Sequence, residues 1–349
     1  MKSYRIASIP GDGIGMEVIP AGIDLLRALA SKEGFELSFE SFDWSSRRYK
    51  DKGAYIPEGG LEQLKGFDAI FFGAVGAPDV PDHVSLWGLR LPICQGFDQY
   101  ANVRPSRVLP GISSQLKNAG DIDWVIVREN TEGEYSGSGG RVHQGLPEEI
   151  ATETSVFTRN GVERVHRFAF ELARKRPRKH LTLVTKSNAQ RHGMVLWDEI
   201  FHQVAKDFPE VKTQRVLVDA VTTVMVLKPG TLDTIVASNL HADILSDLAA
   251  ALSGSLGIAP TANLNPERKF PSMFEPIHGS AFDITGKGVA NPIATFWTAS
   301  MMLEHLGEAK AAARLMKAIE SVTAKKVFTP DLGGSARTKD VTAAVIAAL

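Results

Sequence analysis

An α/β fold is the class this chain predicts, and two observations lead to it. Strand-like runs alternate with segments of helical period, and charged residues sit at the ends of several of those runs. Residues 4–9, 36–42 and 68–73 read as strands, with helices near 15–31 and 58–65 between them. Pro20 falls inside the first helical pattern, which counts against an unbroken helix. A second series has strands near 123–128, 151–157, 181–185, 215–219 and 233–237, with helices near 161–174 and 189–206. From 240 onward the pattern is predominantly helical, at 240–252, 292–306, 309–324 and 340–348. Residues 129–150 are rich in Gly, Glu and Ser and read as a loop or arm rather than a core element. The basic run Arg174–His180, between a helix and a strand, reads as a solvated turn.

Bulk properties narrow the function. A chain of 349 residues can bury a large core, as two domains or one large one. Its 44% hydrophobic and 23% charged content is that of an ordinary globular protein. A formal net charge of −1 gives no electrostatic reason to expect nucleic acid or an anionic membrane as partner. One cysteine, Cys94, excludes an internal disulfide framework and fits a reducing cytosol. Met1-Lys2-Ser3 runs straight into strand-like sequence, and no apolar run approaches the roughly 18 residues of a membrane span. A cytoplasmic enzyme is the expectation.

The most informative segment is Asn239-Leu-His-Ala-Asp-Ile-Leu-Ser-Asp. Ile244, Leu245, Leu248 and Leu252 give it an apolar stripe, and Asp243 and Asp247 share a face directed away from that stripe. Like charges at that spacing repel by a few tenths of a kcal/mol, roughly, which a hard cation such as Mg²⁺ or Mn²⁺ would offset. Two solvated acids near a helix start are the bland alternative.

Pro10-Gly-Asp-Gly-Ile-Gly follows the first strand and opens the first helix, where glycines allow close backbone approach to an anion. It lacks both the Gly-x-Gly-x-x-Gly fingerprint and the Gly-Lys-Ser/Thr of a phosphate loop, so a tight turn without ligand is equally compatible. Arg104 in Asn-Val-Arg-Pro and Arg128 in Arg-Glu-Asn-Thr-Glu-Gly-Glu-Tyr offer rigid forks suited to carboxylates. Lys186 in Thr-Lys-Ser-Asn and Asp219 in Val-Asp-Ala end two further strands. The glycine-rich stretch from Glu275 to Pro292, with His278, Asp283 and Asn291, is too irregular for a simple connection and suggests a loop shaped round a polar ligand.

Together these motifs resemble the β-decarboxylating dehydrogenases, the family of isocitrate, isopropylmalate and tartrate/D-malate dehydrogenases. The resemblance runs from Gly11 to the C-terminal region. Phe42-Asp-Trp-Ser, Asp82-His-Val-Ser-Leu-Trp-Gly and Phe97-Asp-Gln-Tyr look most like the tartrate/D-malate branch. It implies an isopropylmalate dehydrogenase-like fold of two domains with the active site in the cleft between them. Residues 1–98 and 250–349 would form the large domain with the cofactor loops, and 99–249 the small domain with a dimerisation arm.

The resemblance also implies roles. Asp243 and Asp247, with Asp219 from a second subunit, would hold Mg²⁺ or Mn²⁺. Lys186, from the same second subunit as Asp219, would help remove the hydroxyl proton, and Tyr135 would protonate the enolate carbon. Arg104 and Arg128 would clamp substrate carboxylates. Ile14, His278, Gly279, Asp283 and Asn291 would bind NAD, the acid at 283 accepting from ribose hydroxyls and repelling a 2′-phosphate. The expected enzyme is a homodimer that oxidatively decarboxylates a D-malate- or tartrate-like 2-hydroxy diacid. An isocitrate or substituted-malate enzyme and a non-catalytic ligand-binding homologue are the alternatives. One departure stands out: Cys94 occupies a position where the family usually carries arginine. Arg90 could restore that charge at the substrate, or could simply pair with an acid such as Asp82 or Asp98.

Overall fold

Strands and helices alternate along the computed structural model, which describes residues 2–117, 119 and 122–349. The first half runs β1 (Ser3–Gly11), α1 (Gly15–Glu33), β2 (Glu36–Ser41), α2 (Ser46–Lys52), α3 (Gly60–Leu64), β3 (Ala69–Ala74), α4 (Asp82–Ser85), α5 (Leu91–Gly96), β4 (Ala101–Arg107), β5 (Asp123–Glu129), β6 (Gly133–Val142), β7 (Ile150–Val156) and α6 (Arg159–Lys175). Then come β8 (His180–Thr185), α7 (Gly193–Ala205), β9 (Lys212–Leu217), α8 (Val218–Leu227), β10 (Thr234–Ala237), α9 (Asn239–Ser253), β11 (Pro260–Leu264), β12 (Ser272–Pro276), α10 (Ile293–His305), α11 (Ala309–Ala324) and α12 (Thr338–Ala348).

The chain divides into two units. One comprises Met1–Gln99, Arg107–Lys117 and Ala250–Leu349, the other Tyr100–Ser106 and Asn118–Ala249. Residues 107–117, expected in the small domain, thus cluster with the first unit, where Arg107 donates to Glu320 and Ser114 to the Leu252 carbonyl.

In the first unit the strand order is β2-β1-β3-β12-β11, parallel except for the β11–β12 pair. Every residue of β3 is buried, as expected of a strand covered on both faces. Helix α1 buries Val18, Ile19, Leu25, Leu26 and Leu29 at helical spacing and stops at Gly34, whose left-handed backbone caps it. Pro20 does not break it: the residue is exposed in the early turns, and the helix continues to Glu33. Helix α10 is buried from Ile293 through Ser300 and packs against α1 and α11.

In the second unit the order is β4-β5-β10-β8-β9, with β5, β10, β8 and β9 parallel. Helices α6 and α7 pack together through Val165, Phe170, Trp197 and Phe201, all buried. The span 129–150 is not irregular. Gly133–Val142 of it is β6, antiparallel to β7 with Val142 opposite Ile150. Its strand character was hidden because most of the ribbon lies in solvent, so no alternation of apolar and polar residues marks it. Asp219, expected at a strand end, lies instead in the first turn of α8. The basic run is a largely exposed turn, as expected, and two of its arginines tie it down: Arg176 donates to Asp233, and both Arg176 and Arg178 donate to the Asp123 carbonyl.

Among the described residues no helix is long and apolar enough to cross a membrane.

Candidate active site

Parallel pairing in the second unit brings the sequence-predicted residues to one edge of its sheet, the edge at which the strands end. Ala237 at the end of β10 is level with Arg128 near the end of β5. Helix α9 starts two residues later, and Arg128 Nε donates to Asn239 Oδ1 at 2.8 Å. On β4 the two-residue period places Asn102 and Arg104 on one face, and Arg104 Nε donates to Asn102 Oδ1 at 2.8 Å. These asparagines orient the guanidiniums and were not singled out from sequence; the period-two spacing in Asn-x-Arg was the available signal for Asn102.

Both guanidiniums converge on Asp243. Arg104 Nη1 reaches its Oδ1 at 3.1 Å and Ser246 Oγ at 2.6 Å, and Arg128 Nη1 also donates to Asp243 Oδ1. Tyr135, carried by β6, donates from its hydroxyl to Asp243 Oδ2 at 3.1 Å, with the Arg128 guanidinium 5.1 Å from its ring centroid. Arg104 and Arg128 are buried. One turn along α9, the Asp247 carboxyl is held above the usual carboxylate value. Desolvation is the main cause and Asp243 adds to it, while Arg104 and Arg128 oppose it. The stripe expected on α9 is only partly inward: Leu245 and Leu252 are buried, but Ile244 is 56% exposed.

Lys186 and Asp219 also meet. Thr185 at the end of β8 is level with Leu217 at the end of β9, and Lys186 Nζ lies 2.5 Å from Asp219 Oδ1. That hydrogen bond holds the Asp219 carboxyl below its usual value. Among the described residues no group of three or more His, Cys, Asp or Glu side chains could hold a metal ion. The pair Asp243 and Asp247 nevertheless suits a hard divalent cation, since both are oxygen donors one turn apart on α9.

The first unit carries the residues expected to bind a nucleotide, on the loop 277–292 between β12 and α10. His278 Nε2 and Ser280 Oγ are buried without a hydrogen-bond partner among the described residues, and desolvation lowers the pKa of His278. A Cβ at Gly279 would meet nothing within 4 Å, so a ligand can approach the backbone there. Asp283 is exposed. Orphaned polar atoms, an open glycine and an available carboxylate fit the ribose end of a dinucleotide.

Two other residues of the expected set are engaged within the fold. Ile14 is buried under the loop in a cluster with Val18 and Ala290, and its backbone N–H donates to the Ser280 carbonyl at 2.8 Å. The Asn291 amide is engaged at both ends, by Asp331 and by the Ile293 N–H. The glycines of the first turn pack closely on neighbouring backbone. At Gly11 (φ +70°) a Cβ would lie 1.9 Å from the Ala74 carbonyl oxygen, and at Gly13 (φ +57°) 2.0 Å from that of Ser280.

Arg90, expected to face substrate, is buried: Nε donates to Glu275 Oε1 at 2.8 Å and Nη2 to Asn263 Oδ1 at 3.1 Å. Two of its five N–H donors are thus engaged within the fold. The acid it pairs with is Glu275. Cys94 is fully buried in an apolar cluster with Tyr55, Leu89 and Phe97.

The α/β units with their strand-end clusters are those of a known class: the chain belongs to the isocitrate/isopropylmalate dehydrogenase family, whose model matches residues 5–345. It is 68% identical over 352 residues to a probable tartrate dehydrogenase/decarboxylase of Agrobacterium vitis, covering 100% of this chain and 98% of that protein. It is 52% identical to the decarboxylating D-malate dehydrogenase of Escherichia coli K12, covering 99% of this chain and 98% of that one. Among solved structures it is similar to isocitrate dehydrogenase from Methylococcus capsulatus, with a TM-score of 0.88, 34% identity and 99% of each chain covered. These relatives are named as dehydrogenases, and several as decarboxylating ones, which makes this chain an enzyme of that family by descent.

Proposed function

We propose that this chain is an NAD- and divalent-metal-dependent dehydrogenase that oxidatively decarboxylates a D-malate- or tartrate-like 2-hydroxy diacid. The observation that carries this reading is the convergence of Arg104, Arg128 and Tyr135 on Asp243, with Asp247 one turn away. Relatives named for tartrate and D-malate, at 68% and 52% identity, favour that substrate class over isocitrate.

Asp243 and Asp247 would hold Mg²⁺ or Mn²⁺, with Asp219 from a second copy of the chain. The cation would supply Lewis-acid polarisation of a substrate oxygen, and NAD⁺ would supply the hydride acceptor. Arg104 and Arg128 bind the substrate carboxylates and fix which bond can break. Lys186 takes the hydroxyl proton as hydride leaves. The 2-keto acid then loses CO₂ from the carboxylate β to the ketone, and Tyr135 returns a proton to the carbon left behind. One proton leaves oxygen and one arrives at carbon, so the sum is diacid plus NAD⁺ giving 2-keto acid, CO₂ and NADH. Asp283 favours NAD over NADP by accepting from ribose hydroxyls.

A dimer with shared sites is part of the proposal. Support comes from apolar side chains of the second unit left in solvent: Leu227 is 71% exposed, Ile244 56%, Leu146 56% and Ile150 52%. The test is a screen for NADH formation with Mn²⁺ over D-malate, L- and meso-tartrate, isocitrate and isopropylmalate, run alongside NADP⁺. D-malate or a tartrate should be turned over fastest, with NAD⁺ preferred by at least roughly tenfold in kcat/KM. Activity confined to isocitrate, or a preference for NADP⁺, would overturn the reading.

A further inference from the structure

The loop 277–292 has no regular secondary structure, yet its backbone is tied down at several points. Glu17, in the first turn of α1, makes the central tie. Its Oε1 accepts the Gly286 N–H at 2.6 Å and its Oε2 accepts the Gly288 N–H at 3.1 Å. Both glycines have left-handed backbones, φ +77° and +66°, which a residue with a Cβ adopts only with strain. Three residues before Glu17, the Ile14 N–H holds the Ser280 carbonyl at 2.8 Å. From the other side Thr338 donates its N–H to the Gly288 carbonyl and its hydroxyl to that of Ala290. The stretch carrying Ser280 and Asp283 therefore hangs between two anchors supplied by the start of α1.

We propose that Glu17 is a positioning residue for nucleotide binding: its carboxylate fixes the 281–288 segment so that Asp283 and Ser280 are presented in one geometry. This rests on the reading of 277–292 as the nucleotide loop. An ionised carboxylate receiving two backbone N–H groups makes charge-assisted bonds. Without them the segment populates other conformations, and apparent affinity falls by the fraction of molecules in the competent one. Glu17 acts through the loop, so its loss should touch the nucleotide and leave the diacid alone.

The test measures NADH binding by fluorescence titration of the purified protein without substrate, for wild type, Glu17→Ala, Glu17→Gln and Asp283→Ala. Glu17→Ala should raise the NADH dissociation constant about tenfold. Glu17→Gln, which keeps one carbonyl acceptor and the volume, should fall between it and wild type. In steady state Glu17→Ala should raise the KM for NAD⁺ in parallel, with kcat and the diacid KM held within about twofold. Hydrogen exchange at the Gly286 and Gly288 amides should accelerate in both Glu17 variants, a readout that needs no nucleotide.

Should Glu17→Ala fail to fold, Glu17→Gln carries the same test. Weaker NADH binding by Asp283→Ala but not by either Glu17 variant would overturn the positioning role while leaving the nucleotide loop intact. A wild-type protein that binds no NADH, or is indifferent to Asp283→Ala, would overturn the loop reading itself.

Discussion

Arg90 and Glu275 form a buried ion pair, Nε to Oε1 at 2.8 Å, and it ties the helical turn before α5 to the end of β12. The loop 277–292 departs from that strand end. Removing one member of a buried pair leaves the other charge desolvated and unpaired, which costs about 3–5 kcal/mol. Arg90→Ala and Glu275→Ala should each lose stability on that scale in denaturant unfolding, and the double variant should lose clearly less than the sum of the two. Additive losses would show that the pair does not act as a unit. Cys94→Arg should not rescue Arg90→Ala, because it would place a guanidinium in the apolar cluster around Tyr55 and Phe97.

Asp243 is the common acceptor of Arg104, Arg128 and Tyr135. Asp243→Asn removes the negative charge that the proposed cation requires. Turnover should fall by at least about 10²-fold, the scale of one lost electrostatic stabiliser, with half-saturation by Mn²⁺ shifted upward. Near-normal turnover with unchanged Mn²⁺ dependence would exclude Asp243 as a ligand.

Tyr135→Phe should slow protonation of the decarboxylated carbon more than hydride transfer, because the hydroxyl is not needed to form the ketone. Single-turnover experiments can follow NADH and the final keto acid separately. Equal rates of keto-acid release in variant and wild type would remove Tyr135 from this role.

His166 is fully buried against Trp197 and Phe201, and desolvation lowers its pKa from 6.5 to about 3. The native state thus holds it neutral where the unfolded chain takes up a proton. Its contribution to stability is complete above pH 6.5 and declines as pH falls from there toward 3. Between pH 7 and pH 5 wild type should lose about 2 kcal/mol from this group. His166→Phe keeps an aromatic ring without the titration and should flatten that decline. Parallel pH profiles for the two proteins would show that His166 is not the group responsible.

Much of the clustering at the strand ends is legible in residue order. Strand ends can be read from β-rich runs that stop at polar residues, and Arg128 and Lys186 were found that way. Asp243 and Asp247 declared themselves through the helical repeat. Two kinds of strand are hidden from such a reading. The ribbon β6–β7 lies largely in solvent, so its glycine-rich strand left no burial pattern to detect. Strands β11 and β12 were overlooked as short segments, although pairing with each other, and of β12 with β3, makes them strands.

Local rules and the side-chain repeat thus determined by themselves the α/β class, the acidic face of α9 and the presence of a polar loop after Glu275. These depend on neighbours a few residues apart, and sequence lists such neighbours directly. Partnership across the chain was decided only by the tertiary structure. Arg90 sits 185 residues from Glu275, and Glu17 lies 269 residues from Gly286. A buried guanidinium or carboxylate must find its partner wherever the packed sheets and helices bring one within about 3 Å, and no local pattern specifies that distance.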